Sequence, residues 1–363
     1  MRILEVVRSA ALSPARDRTI QRYLLAQAER GRDGAVRLPV LHLGWIEGSA
    51  VSLGRFQRLR SALRAEALDA SVPVLRRLTG GRTVWMSSGQ LSVTLALGEP
   101  SALLPPGSPG IGPEKIINRY VRGILGGLQK CGFRAYFFGR DFLTVDRKLG
   151  GYVSFEVAPS GASLFHALIA VDAATALPRE LDGYPSEGGN RADPEATTLV
   201  REAGRAVDRA ALEAAILDAY ARLQEAELRD RDLSPLEETL LAERESPASA
   251  QEAIGKESGE GWAYSDLQPV ACGWLEAAVQ VVQERFLGAV RIRGDFMAPA
   301  SAVEALERDL RLVPLDWKEI GLVVDRVFGA GRNPMVGVRQ LRVIPDAILE
   351  AAERLGAAGI ARE

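Results

Sequence analysis

The apolar positions of this chain change period as the sequence proceeds. In ARDRTIQRYLLAQAERG, Ile20, Leu24 and Leu25 recur at helical spacing and Gly31 supplies a stop, which predicts an opening helix. From Val36 to Leu97 the pattern shortens to β-like runs, PVLHLGWI, AVSLG, RTVWM and LSVTLALG, separated by glycine and serine. A Pro/Gly-rich loop, GEPSALLPPGSPGIGPE, then precedes EKIINRYVRGILGGLQKCG, where Ile116, Tyr120, Ile124 and Leu128 form a helical stripe that ends at Gly132. Strand-like runs resume in FRAYFFG, DFLTVD, YVSFEVA and SLFHALIAVD, rich in aromatic and β-branched residues and divided by turn chemistry. This places Lys148, in VDRKLGGYVSFEV, in or beside a hairpin connection.

Beyond Asp172 the pattern is loop-like through PRELDGYPSEGGNRADPEA and helical through DRAALEAAILDAYARLQEAEL. The stretch RESPASAQEAIGKESGEG has little apolar content and reads as an inter-domain linker, placed at 251–257. A second unit begins near Trp262. It reads as a hairpin, CGWLEAAVQVVQERFLGAVRIRGDFM, followed by helices in SAVEALERDLRLV and DWKEIGLVVDRVFG, an α+β pattern. The expected division is a first domain at 1–250 and an accessory domain at 258–363.

Composition narrows the function classes. The chain has 363 residues, enough for two or three domains, with 45 basic against 47 acidic side chains. That balance gives no support for a nucleic-acid footprint, and the longest apolar stretch, near LFHALIAV, is short of the roughly 18 residues of a membrane span. The first residues, MRILEVVRSAALSPARDR, show no apolar run with a small-residue cleavage site, so a cytoplasmic location is expected. Two cysteines, Cys131 and Cys272, and two histidines, His42 and His166, make neither a disulfide framework nor a four-ligand zinc site of the usual kind, and no structural metal is expected.

Several segments carry candidate chemistry. The run RRLTGGRTVW holds Arg76 and Arg77 before Gly80 and Gly81, and Lys148 stands shortly before Gly150 and Gly151. With the helix EKIINRYVRGILGGLQKCG, the segment FFGRDFLTVDRKLGG and the late VRIRGDFM, these occur in the order and approximate spacing of lipoate-protein ligases, a family that the chain resembles over most of its length. The resemblance implies a mixed-sheet biotin/lipoate ligase-like catalytic domain with a small α+β C-terminal accessory domain. It implies ATP with magnesium, lipoate or a related medium-chain acid as substrate, and a lipoyl carrier domain whose lysine accepts the acyl group from an acyl-adenylate.

On that resemblance Arg76, Arg77, Gly80 and Gly81 match an arginine pair and glycine turn that bind substrate or nucleotide, and Lys148 with Gly151 matches a Lys-x-x-Gly motif. Joining a carboxylate to an α-phosphate brings two anions together, and a compact ammonium between them supplies electrostatic stabilisation, the role expected of Lys148. The ordinary alternatives are a solvated turn lysine at 148 and a plain hairpin turn at 80–81. Because side chains alternate along a strand, only one of Arg76 and Arg77 is expected to face a site, the other being solvated. Gly54 matches a further family glycine, or closes a strand-end turn. His166 reads as a core or edge histidine.

The chain also departs from the family. Arg82 replaces a third glycine, and Trp85, Met86 and Ser87 stand where a hydrophobic residue and a His-Asp pair are usual. GRDF replaces Gly-Arg-Asn-Asp, with Asp141 for asparagine and Phe142 for aspartate. Arg82 therefore either binds substrate in the pocket or is a solvated strand residue. Three functions stay open: the ATP-dependent ligase, an octanoyl or lipoyl acyltransferase working through a thioester, and a non-catalytic relative that binds an acyl carrier or partner. For the acyltransferase, Cys131 is a poor thiolate because it lies at a predicted helix C-terminus.

Overall fold

The computed structural model describes residues 2–30, 38–68, 72–105, 107–185, 194–245, 261–329 and 333–356. The expected linker at 251–257 and the stop at Gly31 lie outside the described residues. The first part runs β1 (Arg2–Leu12), α1 (Pro14–Arg30), β2 (Val40–Ile46), β3 (Ala50–Leu53), α2 (Leu59–Ala62), α3 (Ala65–Leu68), β4 (Val74–Arg76), β5 (Val84–Met86) and β6 (Leu91–Leu97). It continues with α4 (Ile116–Lys130), β7 (Ala135–Phe137), β8 (Phe142–Val145), β9 (Lys148–Val157), β10 (Ser163–Ile169), α5 (Leu199–Ala203), α6 (Arg209–Gln224), β11 (Ala226–Asp230) and α7 (Pro235–Arg244). The remainder is β12 (Ala263–Tyr264), β13 (Gln268–Val270), β14 (Gly273–Val282), β15 (Phe286–Gly294), α8 (Ala300–Asp309), α9 (Trp317–Phe328) and α10 (Val343–Glu353).

The main sheet has eight strands in the order β11-β1-β2-β6-β10-β9-β8-β7. β1 pairs in parallel with β11 and β2, and the other neighbours are antiparallel, so the sheet is mixed as expected. Its central strands are buried from end to end, Lys148 at the start of β9 excepted, because both faces are covered. The stripe Ile116, Tyr120, Ile124 and Leu128 of α4 packs on one face with Leu212, Ile216 and Tyr220 of α6. Ile20, Tyr23 and Leu24 of α1 cover the other, with Leu241 of α7.

One reading of the pattern changes, and a helix stands where none was read. The end of DRAALEAAILDAYARLQEAEL is strand β11 rather than helix, because its backbone is taken up by β1 from the other end of the chain. VIPDAILEAAE near the C-terminus is a helix, α10, which packs on β14 with its apolar face.

A small sheet, β4-β3-β5, stands beside the main one, and the segment from Ala263 carries its own sheet, in which β14 pairs with β12, β13 and β15. The hairpin β14–β15 and helices α8 to α10 enclose a second core that includes Leu275, Ile292, Leu306, Ile320 and Ile348. Phe56, from the loop after β3, belongs to that core and stacks on Phe296 with ring centroids 4.8 Å apart. Polar contacts reinforce the junction: Gln57 donates from Nε2 to Asp295 at 2.6 Å, and Arg58 pairs with Glu276 at 3.2 Å. Glu156 of β9 accepts the backbone N–H of Ala300 at 2.8 Å, which sets its carboxyl at the start of α8.

Burial raises the Glu156 carboxyl to about 7, against the opposing pull of the Ala300 N–H and Arg55. Its ordinary value is near 4.5, so the folded state holds this proton more tightly than the unfolded chain does. The group's contribution to stability is therefore complete below pH 4.5 and is lost as pH rises through 7. Glu156→Gln keeps an acceptor for Ala300 without a charge to bury. Urea denaturation should show this variant gaining on the wild type by about 2–3 kcal/mol between acid and mildly alkaline pH, whereas a difference independent of pH contradicts the buried acid.

Candidate functional site

Strand β3 pairs in parallel with β4 on one side and antiparallel with β5 on the other, so residues 77–83 must cross the end of β3. The crossing point is Gly54, where a Cβ would overlap the carbonyl oxygen of Gly81. Gly81 itself has φ +92°, the region that glycine tolerates, and its N–H donates to the Phe296 carbonyl at 2.8 Å. The turn is thus held between the β3 end and the strand exit of the second core.

Both arginines of the pair serve this turn. Arg77 is buried and donates from Nη1 to Ser52 O (2.9 Å) and from Nη2 to Gly80 O (2.8 Å) and Arg82 O (2.6 Å). Burial lowers its guanidinium to about 10, with Asp141 and Asp295 opposing, so it stays charged at neutral pH. Arg76 donates from Nη1 to the carbonyls of Gly54, Arg55 and Gln57 at 3.0, 3.1 and 2.5 Å. The expectation that one of the two is solvated is corrected: they point apart, and each finds backbone carbonyls that the crossing leaves over.

Arg82 points inward. Its Nε donates to Asp141 Oδ2 at 2.5 Å and its Nη2 to Asp141 Oδ1 at 2.9 Å, a two-pronged ion pair whose side chains are 3% and 2% exposed. The guanidinium also lies 5.7 Å from the Phe142 ring and 5.6 Å from that of Tyr152. The third-glycine position and the asparagine position, two of the departures noted in the sequence, therefore compensate one another. Around the pair is a cavity of about 20 Å³, room for one water, lined by Arg77, Gly81, Val84, Tyr152, Ser154 and His166 among others.

A polar chain runs beneath it. Thr79 Oγ1 donates to Ser154 Oγ at 2.9 Å, and Ser154 Oγ lies 3.5 Å from His166 Nδ1. His166 Nε2 lies 3.3 Å from Ser92 Oγ and 3.8 Å from Asp17 Oδ2, while Ser92 donates to Asp17 Oδ1 at 2.6 Å and Gln21 to Asp17 Oδ2 at 2.7 Å. Burial raises Asp17 to about 6 and lowers His166 to about 3, so at neutral pH the acid is ionised and the imidazole uncharged. Sequence reasoning missed Asp17, Ser92 and Ser154. The available signal was a serine within each of two largely apolar strands, Ser92 in LSVTLAL and Ser154 in YVSFEV, and Asp17 had none.

Lys148 and Gly151 are not brought to this cavity. Asp146 and Arg147, with φ of 49° and 68°, make a tight turn between β8 and β9. Lys148 then pairs with Val145, which belongs to the core under α4, whereas Tyr152 and Leu168 at the cavity belong to the core under α1. Its Nζ donates to Glu202 at 2.9 Å, and Glu202 also accepts from Thr197, the two bonds that hold this carboxyl below its usual range. Gly151 lies inside the sheet between Leu143 and Ile169.

Neither thiol lines the cavity, although Cys272 is close enough to Asp141 and Arg82 to feel their charges. Cys131 caps the C-terminus of α4, and burial raises it; Cys272 is buried and raised well above the ordinary thiol value. Among the described residues no three His, Cys, Asp or Glu side chains cluster as a metal site, and Asp141 and Asp17 are committed to Arg82 and to Ser92 and Gln21. These residues do not fit a resident magnesium ion. Among the described residues, no helix is long and apolar enough to cross a membrane.

Residues 13–221 match the lipoyl protein ligase A/B catalytic domain, and the chain belongs to that family. It is 32% identical over 136 residues to the octanoyltransferase LipM of Exiguobacterium sp. (strain ATCC BAA-1283 / AT1b), a match that covers 36% of this chain and 45%, about half, of that relative. Its fold is similar to that of P. falciparum LipL1, solved with lipoate, with a TM-score of 0.68 at 14% identity, covering 95% of this chain and 99% of that one. It is also similar to the bipartite lipoate protein ligase of Thermoplasma acidophilum, described with its E2 lipoyl domain, with a TM-score of 0.51 at 16% identity over 71% and 98% of the two chains.

If Arg82 and Asp141 act as a unit, removing either leaves a buried charge behind. Asp141→Asn or Arg82→Ala alone should cost about 3–5 kcal/mol, and the double change should cost at least about 2 kcal/mol less than the sum, read by chemical denaturation. Additive losses would show that the two side chains do not depend on each other.

Proposed function

We propose that this protein transfers a medium-chain acyl group, octanoyl or lipoyl, from a thioester to the lysine of a lipoyl domain. The observation that carries the reading is the cavity at the glycine turn. Val84, Leu168 and Tyr152 give it apolar walls suited to an acyl chain, and the charge of Arg77 stands beside them where a carbonyl would become an oxyanion. Membership of the ligase/transferase family supports the same chemistry, as does the likeness to an octanoyltransferase.

A space for one water does not hold an acyl chain, so one wall moves when substrate enters. Separating a buried, two-pronged ion pair costs several kcal/mol. The bond from Gly81 to Phe296 is a single neutral one, worth about 1 kcal/mol, beside one aromatic stack. Of the cavity's lining, Gly81 is the residue tied to the second core by that bond, and we place the yielding there.

A second reading, the ATP-dependent lipoate ligase, is favoured by Lys148. Its side chain is 36% exposed at a hairpin and held by one carboxylate, so it is free to leave Glu202 for an acyl carboxylate and α-phosphate. One assay separates the two. Octanoyl transfer from an acyl-carrier thioester to a lipoyl domain without ATP is the result expected; pyrophosphate release that requires lipoate, and falls by about two to three powers of ten in Lys148→Ala, would assign the ligase instead. Neither product appearing would contradict both and leave a family fold that only binds its partner.

A further inference from the structure

Acyl transfer through a covalent intermediate needs a nucleophile, and in this chain burial raises both thiols. We infer that Ser154 is the residue acylated, with His166 as its base and Asp17 as a positioning residue, an inference that rests on the transferase reading.

Four elements place these groups. Ser154 on β9 and His166 on β10 are direct cross-strand partners, so their side chains share one face of the sheet. Ser92 comes from β6 and Asp17 from α1, which covers that face. Thr79, in the glycine turn, donates to Ser154 Oγ, which leaves the serine's own proton directed at His166 Nδ1. The 3.5 Å separation is long for a bond in use, as is common before substrate tightens a site. Ser92 spends its proton on Asp17 and so accepts from His166 Nε2. That fixes the tautomer with Nδ1 unprotonated, the form a base requires. Burial, with Arg77 and His42 nearby, keeps the imidazole uncharged over the working range, which leaves Nδ1 its lone pair but makes it a weak base. Ser154 and His166 line the same cavity as Arg77, whose charge stabilises the oxyanion.

The reaction balances without further reagents. Ser154 Oγ bonds to the thioester carbonyl carbon as its proton passes to His166 Nδ1; the C–S bond breaks, and the thiolate leaves with that proton as a free thiol. The lipoyl-domain amine then attacks the serine ester. Its proton moves to His166 and on to Ser154 Oγ as the ester C–O bond breaks, leaving the amide.

The test incubates the full chain with octanoyl-pantetheine, quenches in acid, and locates any octanoyl group by intact mass and peptide mapping. The expected result is one octanoyl group on Ser154, absent in Ser154→Ala and formed at least about a hundredfold more slowly in His166→Ala. Ser154→Cys guards against a misfolded alanine variant: it should be acylated, and its activity should become sensitive to iodoacetamide, which a merely structural serine would not confer. Asp17→Asn should alter the pH profile of acylation near 6, where Asp17 ionises, with His166, Ser92 and Gln21 facing it. Acylation elsewhere, or wild-type acylation in Ser154→Ala, overturns the serine while transfer to a lipoyl domain, measured in parallel, still upholds the transferase. If the wild type neither acylates nor transfers, an octyl fluorophosphonate decides independently: labelling of Ser154 that needs His166 upholds the nucleophile, and no labelling overturns it.

Discussion

The site depends on one crossing of the backbone. Because β4 and β5 flank β3, the chain between them must pass over the end of β3, and it can do so only where Gly54 and Gly81 let two main chains touch. Such contact leaves several carbonyls without ladder partners, and a buried carbonyl without a donor costs about 1–3 kcal/mol. Arg76 and Arg77 supply donors to the carbonyls of residues 52, 54, 55, 57, 80 and 82. The same geometry presents the Gly81 N–H to Phe296, which couples the turn to the second core. A catalytic-looking arginine pair is thus first a scaffold, and its charge reaches the cavity as a consequence.

Arg82 and Asp141 form the second layer of the argument. A lone arginine in place of a glycine would be a buried charge in an acyl site, and a lone aspartate in place of asparagine would be another. Together they neutralise each other and shape a smaller cavity whose polarity comes from Ser154, His166 and two guanidiniums. On the proposed reading, this arrangement suits polarising a carbonyl.

The sequence displayed the repetitive parts of this structure well. Amphipathic spacing marked α1, α4 and α6, and short apolar runs between turn residues marked the strands and the β14–β15 hairpin, because those signals are local. β11 escaped because AELRD is helix-like on its own and becomes a strand only through β1. Arg77, Arg82, Gly81 and Asp141 were legible as site candidates from motif order, yet the mutual pairing of Arg82 with Asp141 was not, since it joins a turn to a strand start 59 residues away. Asp17, Ser92 and Ser154 carry no motif at all. Their convergence follows from strand register and the placement of α1 over the sheet.

On the proposed reading the Gly81–Phe296 contact yields when an acyl group enters, and the Gly81 N–H reports on it directly. Amide hydrogen exchange at Gly81 should be slow in the protein alone and should accelerate when octanoyl-pantetheine is present at saturation, while amides in the centre of β10 remain unchanged. Exchange at Gly81 that is equally slow with and without substrate, in protein that is transferring octanoyl groups, would contradict it.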